Sequence, residues 1–223
     1  MLVLGMDSAT SACSAAVVND GNVLAQEFKE MVRGHAEELV PMIKRVLGAA
    51  GRSVGELDLI AATVGPGAYT GVRIGLSTAQ TMSLAATVPL LGVTTLESVA
   101  RAAQDGSGNE LLVVIDTKRT DFYAQAYDGS GTALGEPAAL TGAELLAAFP
   151  GADLRLAGDA AERAAVVFRG AGRDVELLDA SGMPDSAWVA RIGSERAIEA
   201  RVGAVTPLYL RPPDVGPPGG RRQ

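Results

Sequence analysis

Two short stretches set a carboxylate beside a hydroxyl at the end of an apolar run: Asp7-Ser8 after LVLGM, and Asp116-Thr117 after LLVVI. Carboxylates so placed could hold hydrated Mg²⁺ while hydroxyls and turn amides meet phosphates. Ligands of open α/β sheets gather at such strand ends. Aspartate and serine are also ordinary turn residues, so residue type alone leaves both readings open. A third stretch, GPGAYTGVR at 65–73, has the strand, glycine loop and helix layout of a phosphate cradle. Its spacing is wrong for one. A P-loop needs G-x-x-x-x-G-K-[ST] and a dinucleotide loop needs G-x-G-x-x-G. Here Ala68, Tyr69 and Thr70 follow Gly67, Gly71 comes too late, and no lysine follows it. The loop is expected to turn a corner, with Thr70 capping the next helix.

The other reactive residue types are sparse. His35 is the one histidine and Cys13 the one cysteine. That excludes an internal disulfide and any metal site built on two histidines. Cys13 reads as a small buried apolar residue, and the Lys118-Arg119 pair as a solvated turn. No Ser/His/Asp or Cys/His set can be assembled.

These residues need elements to place them. LVLGM (2–6), SAAVV (14–18) and NVLAQEF (22–28) read as strands, with Asn19-Asp20-Gly21 as a hairpin turn. HAEELVPMIKRVLGAAG (35–51) reads as a helix with Leu39, Met42, Ile43, Val46, Leu47 and Ala50 on one apolar face. Pro41 must lie in its first turn or kink it. LDLIAATV (57–64) is a strand, 70–86 a helix, PLLGV (89–93) a strand, and Thr94 with Glu97 opens a helix at about 95–103 through a capping box. Within 70–86, Gly71, Gly75, Ala79 and Ser83 recur every four residues. Such a groove admits another helix closely, from this chain or from another.

After a polar, glycine-rich stretch at 104–109 the opening pattern returns. LLVVIDT (111–117) matches LVLGMDS (2–8), DFYAQAY (121–127) matches the second strand, and Asp128-Gly129 matches Asp20-Gly21 one residue out of step. The pattern predicts an internal duplication. LRLAGD (154–159) reads as strand into turn, SAWVARIGSERAIEAR (186–201) as a helix capped by Asp185 or Ser186, and 211–223 as a Pro/Gly-rich tail. The order of strands and helices fits an α/β class, a mixed sheet with helices on its faces.

Composition bounds the rest. The chain has 223 residues, 48% of them apolar, with 19 Lys and Arg against 26 Asp and Glu, a net charge of -7. A direct grip on nucleic acid usually needs a clustered basic surface, and none shows. The start MLVLGMDS has no basic region and its apolar run stops at Asp7, so neither a signal peptide nor a membrane span is read there. A cytoplasmic location is expected.

MDSATSACSAAVV, GPGAYTGVRIGLSTAQ, HAEELVPMI and the near-terminal TPLYLR together resemble the bacterial TsaB family, over most of 1–119 and 205–211 and more loosely over 120–200. The resemblance implies two RNase H-like lobes of the actin/Hsp70/sugar-kinase type, the second reduced. It places the first lobe at 1–104, completed by about 190–211, the second at 105–189, and a tail at 212–223. It implies a part in making N6-threonylcarbamoyladenosine in tRNAs that read codons beginning with A. The paralogue TsaD would carry the metal and the transferase chemistry, and an ATPase, TsaE, would join them. This chain would be a non-catalytic dimerisation subunit with no cofactor of its own, ATP or ADP and metal belonging to its partners. It would form a homodimer when alone and meet tRNA only through the complex.

The departures agree. A TsaD-like H-x-x-x-H motif would put a second histidine at position 39, which is Leu39, and LRLAGDAAE offers Gly158 where nucleotide-binding members use a glycine pair. Asp7, Ser8, Asp116 and Thr117 are then vestiges of a nucleotide site. Helices 35–50 and 70–86 would meet the paralogue as a four-helix interface through His35, Leu39, Met42, Ile43, Val46, Gly71, Arg73, Gly75, Ala79 and Ser83. The competing reading is a stand-alone nucleotide-dependent kinase or ATPase of the same superfamily, prompted by Asp7 and Asp116. A metalloprotease, an old label of the paralogue family, fits poorly with one histidine.

Overall fold

The computed structural model describes residues 1–104, 106–151, 154–178 and 182–211, so the tail read at 212–223 lies outside the described residues. Strands β1 (Leu2–Asp7), β2 (Ala12–Asn19) and β3 (Asn22–Glu30) form a meander, followed by α1 (His35–Ala49), β4 (Leu59–Thr63), α2 (Tyr69–Ala86), β5 (Leu90–Val93) and α3 (Thr95–Ala103). The second half runs β6 (Leu111–Asp116), β7 (Phe122–Tyr127), β8 (Ala138–Leu140), α4 (Gly142–Ala148), β9 (Leu154–Ala157), α5 (Ala161–Gly170), β10 (Val175–Leu177) and α6 (Ser186–Glu195).

The duplication is plain in the sheets. The first has the order β3-β2-β1-β4-β5 and the second, read from its other edge, β8-β7-β6-β9-β10. In each, the first three strands pair antiparallel and the last two join parallel. The second sheet is built from shorter strands, β8 and β10 having 3 residues each against 9 in β3. The first hairpin turns at Asp20 and Gly21, both at positive φ, as a tight two-residue turn demands.

The central strands of both sheets are buried and apolar on both faces, as strands covered on two sides require, while the edge strand β3 is largely exposed. Leu2, Leu4 and Met6 of β1 face one way, into a core with Leu39, Met42, Ile43, Val46 and Leu47 of α1 and Leu76 and Ala79 of α2. Val3 faces the other way, with Ala16, Val18, Leu59 and Leu91, against Val189, Ala190 and Ile192 of α6. Gly5 lets α6 come close, since a Cβ there would lie 2.1 Å from the Ser186 carbonyl oxygen. In the second half, Leu112 and Val114 pack toward α4 and α5. Leu111, Val113 and Ile115 pack against Leu96, Val99 and Ala100 of α3. The third helix of each half therefore covers the sheet of the other. A division at residue 104 separates the strands but cuts α3 from the sheet it covers. Two bidentate pairs join α3 to the end of α6: Arg101 with Glu195, at 2.9 and 2.6 Å, and Glu97 with Arg196.

Several local expectations need correction. Helix α2 starts at Tyr69 with Ala68 as its cap, so Thr70 lies inside its first turn and does not cap it. Pro41 sits in the interior of α1 rather than its first turn, which leaves the Glu37 carbonyl without its helical donor. The Thr94 side chain accepts from the Glu97 amide as expected. Glu97 turns its carboxylate to Arg196 instead of back to the cap. The helix read at 186–201 ends at Glu195. Helices α4 and α5 were not anticipated.

Candidate functional site

The two turns that carry the sequence's carboxylates meet at one cleft of about 470 Å³, lined by Thr10, His35, Thr70, Asp116, Lys118 and Asp159 among others. Each turn is built differently. Asp7 ends β1 wholly buried. Its Oδ1 accepts from the Thr63 hydroxyl at 2.6 Å and the Ala9 amide at 3.1 Å, and among the described residues its Oδ2 has no hydrogen-bond partner. Burial pushes its carboxyl up to about 7, against the pull of the Thr63 and Ala9 hydrogen bonds. Ser8 spends its hydroxyl on the Gly71 carbonyl at 2.9 Å.

Asp116, at the matching point of β6, is surrounded by cations. Lys118 Nζ lies 3.0 Å from its Oδ2 and Arg163 Nη2 3.0 Å from its Oδ1. Burial pulls this carboxyl up, but the Lys118 contacts and the Arg163 charge outweigh it and hold it below the usual aspartate value. Arg163 also donates to the Asp121 and Arg119 carbonyls at 2.8 and 3.1 Å and lies 4.1 Å over the Phe122 ring. One guanidinium so knits the whole second turn. Thr117 donates to Asp121 at 2.6 Å. Lys118, at φ 59, reaches across the cleft to the Ser11 hydroxyl at 3.1 Å. Asp116 is thus paired from within the chain by an ammonium and a guanidinium group.

His35 donates from Nε2 to the Thr10 carbonyl at 3.0 Å, tying α1 to the first turn. Leu39, one turn on, is core. Among the described residues no group of three or more His, Cys, Asp or Glu side chains could hold a metal ion. The residues present do not fit the metal of the TsaD-like motif. Burial raises the Cys13 thiol to about 12, with the Asp7 charge a smaller cause, so no thiolate nucleophile stands here.

GPGAYTGVR places a helix. The Ala68 amide donates to the Ala9 carbonyl at 2.8 Å. A Cβ at Gly67 would lie 2.3 Å from the Ala9 oxygen and one at Gly71 2.2 Å from the Ser8 oxygen. Gly65, at φ 99, passes under the strap 204–211, whose Leu208 amide donates to Val64 at 2.8 Å. The glycines bring α2 onto the first turn.

The same packing corrects the expected interface. Leu39, Met42, Ile43 and Val46 are buried in this chain's own core. Gly71 and Gly75 face Ser8, Ala79 is buried in the same core, and Ser83 donates to the Val88 carbonyl at 2.6 Å. The close helix-to-backbone approach that the small stripe permits is to the chain itself. The outward surface of α1 and α2 instead carries Ala36, Val40, Pro41, Lys44 and Gly48, and Tyr69, Arg73, Ser77 and Leu84. Of the expected contacts, Arg73 lies on it and His35 is half-buried at its edge.

Residues 22–175 match the family described as TsaD: tRNA N6-adenosine threonylcarbamoyltransferase. The tRNA threonylcarbamoyladenosine biosynthesis protein TsaB of Escherichia coli K12 is 38% identical over 128 residues, 57% of this chain and 55% of that protein. The chain belongs to the family that residues 22–175 match. The match spans about half of the E. coli TsaB. An uncharacterised protein of Mycobacterium tuberculosis is 31% identical over 218 residues, 96% of this chain and 94% of its own length. YeaZ from Pseudomonas aeruginosa superposes with a TM-score of 0.77 at 28% identity, covering 94% of this chain and 99% of that one. A ROK hexokinase from Thermus thermophilus, with a TM-score of 0.53 at 13% identity, covers 89% of this chain and 100% of that one. That likeness shows the fold alone, a two-lobed RNase H-like architecture of the sugar-kinase type. Among the described residues no helix is long and apolar enough to cross a membrane.

Proposed function

We propose that this chain is a non-catalytic subunit required for N6-threonylcarbamoyladenosine formation in tRNAs reading codons that begin with A. It acts in the cytoplasm, pairs with a TsaD-type paralogue through the outer surface of α1 and α2, and supports assembly with the ATPase TsaE. It needs no nucleotide or metal of its own, which belong to its partners, and it reaches tRNA through the complex. Alone it forms a homodimer through the same surface, since paired paralogues often share one mode of contact. The observation that carries this reading is the second turn, where Lys118 and Arg163 neutralise Asp116 from within the chain. A phosphoryl-transfer enzyme needs that carboxylate free for its metal. The exposed apolar side chains Val40 and Leu84 add support, since such side chains on paired helices suit a docking face.

Native mass measurement of the protein alone and mixed with its TsaD-type paralogue tests this. A homodimer giving way to a one-to-one heterodimer is expected. A second reading, a stand-alone kinase or ATPase, rests on the unpartnered Oδ2 of Asp7. Mg-ATP binding by the isolated chain, lost in Asp7→Ala, would replace the first reading with this one.

A further inference from the structure

On the outer surface of α2, Arg73 is held in one pose. Its guanidinium lies 4.0 Å over the Tyr69 ring and 6.0 Å from the Tyr209 ring. Its Nε donates to the Tyr209 hydroxyl at 2.9 Å. The two ring centroids lie 5.1 Å apart with their planes tilted by 31°, and both stay exposed, at 40% and 37%. Tyr209 is itself fixed, because the strap that carries it is tied to Val64 and Gln80, and through Arg211 to Asp121. Among the described residues Arg73 has no carboxylate partner; the groups acting on it are the two tyrosines. The side chain is thus ordered in advance with both terminal nitrogens free.

We infer that the Arg73 fork, set by Tyr69 and Tyr209, receives an aspartate or glutamate side chain of the partner protein that packs on α1 and α2. This rests on the partner reading proposed above and names the chemistry of its anchor. A planar guanidinium binds a carboxylate through two parallel hydrogen bonds. Holding it still beforehand removes most of the ordering cost of binding, and arginine and tyrosine are the residue types that dominate interface energies. Phosphate has the same geometry, but a nucleic-acid grip gathers several cations. The other outward residues of Arg73's own face of α2, Thr70, Ser77 and Leu84, are uncharged, so one carboxylate is the matching occupant.

The test is calorimetric titration of wild type, Arg73→Ala, Arg73→Lys and Tyr209→Phe with the purified TsaD-type paralogue, each variant first checked by thermal melting. Arg73→Ala should weaken pairing at least 30-fold. Arg73→Lys, keeping charge but losing the fork, should weaken it about 10-fold, and Tyr209→Phe less. Arg73→Glu should abolish pairing, and an Asp or Glu to Arg change in the partner should restore it. If wild type pairs and Arg73→Ala pairs as tightly, this inference fails while the partner reading stands. If wild type does not pair, both fall. If Arg73→Ala pairs normally but the complex loses tRNA, the occupant is a phosphate and the carboxylate assignment is overturned.

Discussion

Gly71 sits so close to Ser8 that a Cβ on it would lie 2.2 Å from the Ser8 carbonyl oxygen, while the Ser8 hydroxyl donates back to Gly71 at 2.9 Å. The two residues clamp the start of α2 onto the first turn. Gly71→Ala must push the helix away, and a cost of about 2–3 kcal/mol is expected from such overpacking. Gly48, in α1, has nothing within 4 Å of its would-be Cβ. There Gly→Ala should stabilise by about 0.5–1 kcal/mol. Urea unfolding of the two variants checks the contrast, and shifts of the same sign would refute it.

Asp7 makes stability depend on pH. Its folded value, about 7, lies above the ordinary 3.8. The folded state therefore holds a proton that the unfolded chain has released, and stability falls as pH rises between those values. Asp7→Asn keeps the acceptor for Thr63 and Ala9 and removes the buried charge. It should stabilise the protein at pH 8 by a few kcal/mol, since each tenfold change in proton affinity is worth about 1.4 kcal/mol. At pH 4 it should bring little gain. Melting temperatures across that range decide; a gain independent of pH would rule this out.

Core and surface of α1 should respond differently. Ile43 is 2% exposed, so Ile43→Asp buries a lone charge and should unfold the isolated chain, which makes it a poor probe of pairing. Val40, 43% exposed, should accept aspartate with a change within about 0.5 kcal/mol yet lose pairing with the paralogue. Circular dichroism and native mass measurement on both variants check this. A Val40→Asp variant that pairs normally would remove α1 from the interface.

Arg163→Ala should loosen the second turn, removing one donor each from Asp116 and from the Asp121 and Arg119 carbonyls. A loss of about 1–2 kcal/mol is expected for such a partly exposed group. Because Asp116 is held below its ordinary 3.8, its pairing contributes fully above that value and is lost as pH falls beneath it. The penalty should therefore shrink at pH 3, which denaturation of both proteins at pH 7 and pH 3 would show.

Much of this fold is legible in the chain. Alternating apolar runs and the Asp20-Gly21 turn give the first meander, and the return of the strand–Asp–hydroxyl pattern at 111–117 gives the second. Helix α4 had a readable start, since Thr141 and Glu144 form a complete capping box. Helix α5 lacks a side-chain cap and offers less. What sequence could not resolve is direction. Leu39, Met42, Ile43 and Val46 form an apolar face whether it meets a partner or the chain's own sheet, and spacing is identical in both cases. Likewise Glu97 stands at the capping-box position, yet an arginine nearly a hundred residues away takes its carboxylate. Arg163 gave no signal at all, because its role depends on a turn brought to it from another strand.

The exchanged third helices have a consequence for synthesis. When β5 leaves the ribosome the first sheet has all its strands, but Val3, Ala16, Val18, Leu59 and Leu91 still lack the helix that covers them. That helix, Ser186–Glu195, follows roughly 90 residues later, some 5–20 s at ordinary elongation rates. Fragments ending at residue 104 should accumulate as aggregates, which expressing them would reveal. During that interval the nascent chain carries an adhesive apolar face, and a helix made much later is the one that silences it.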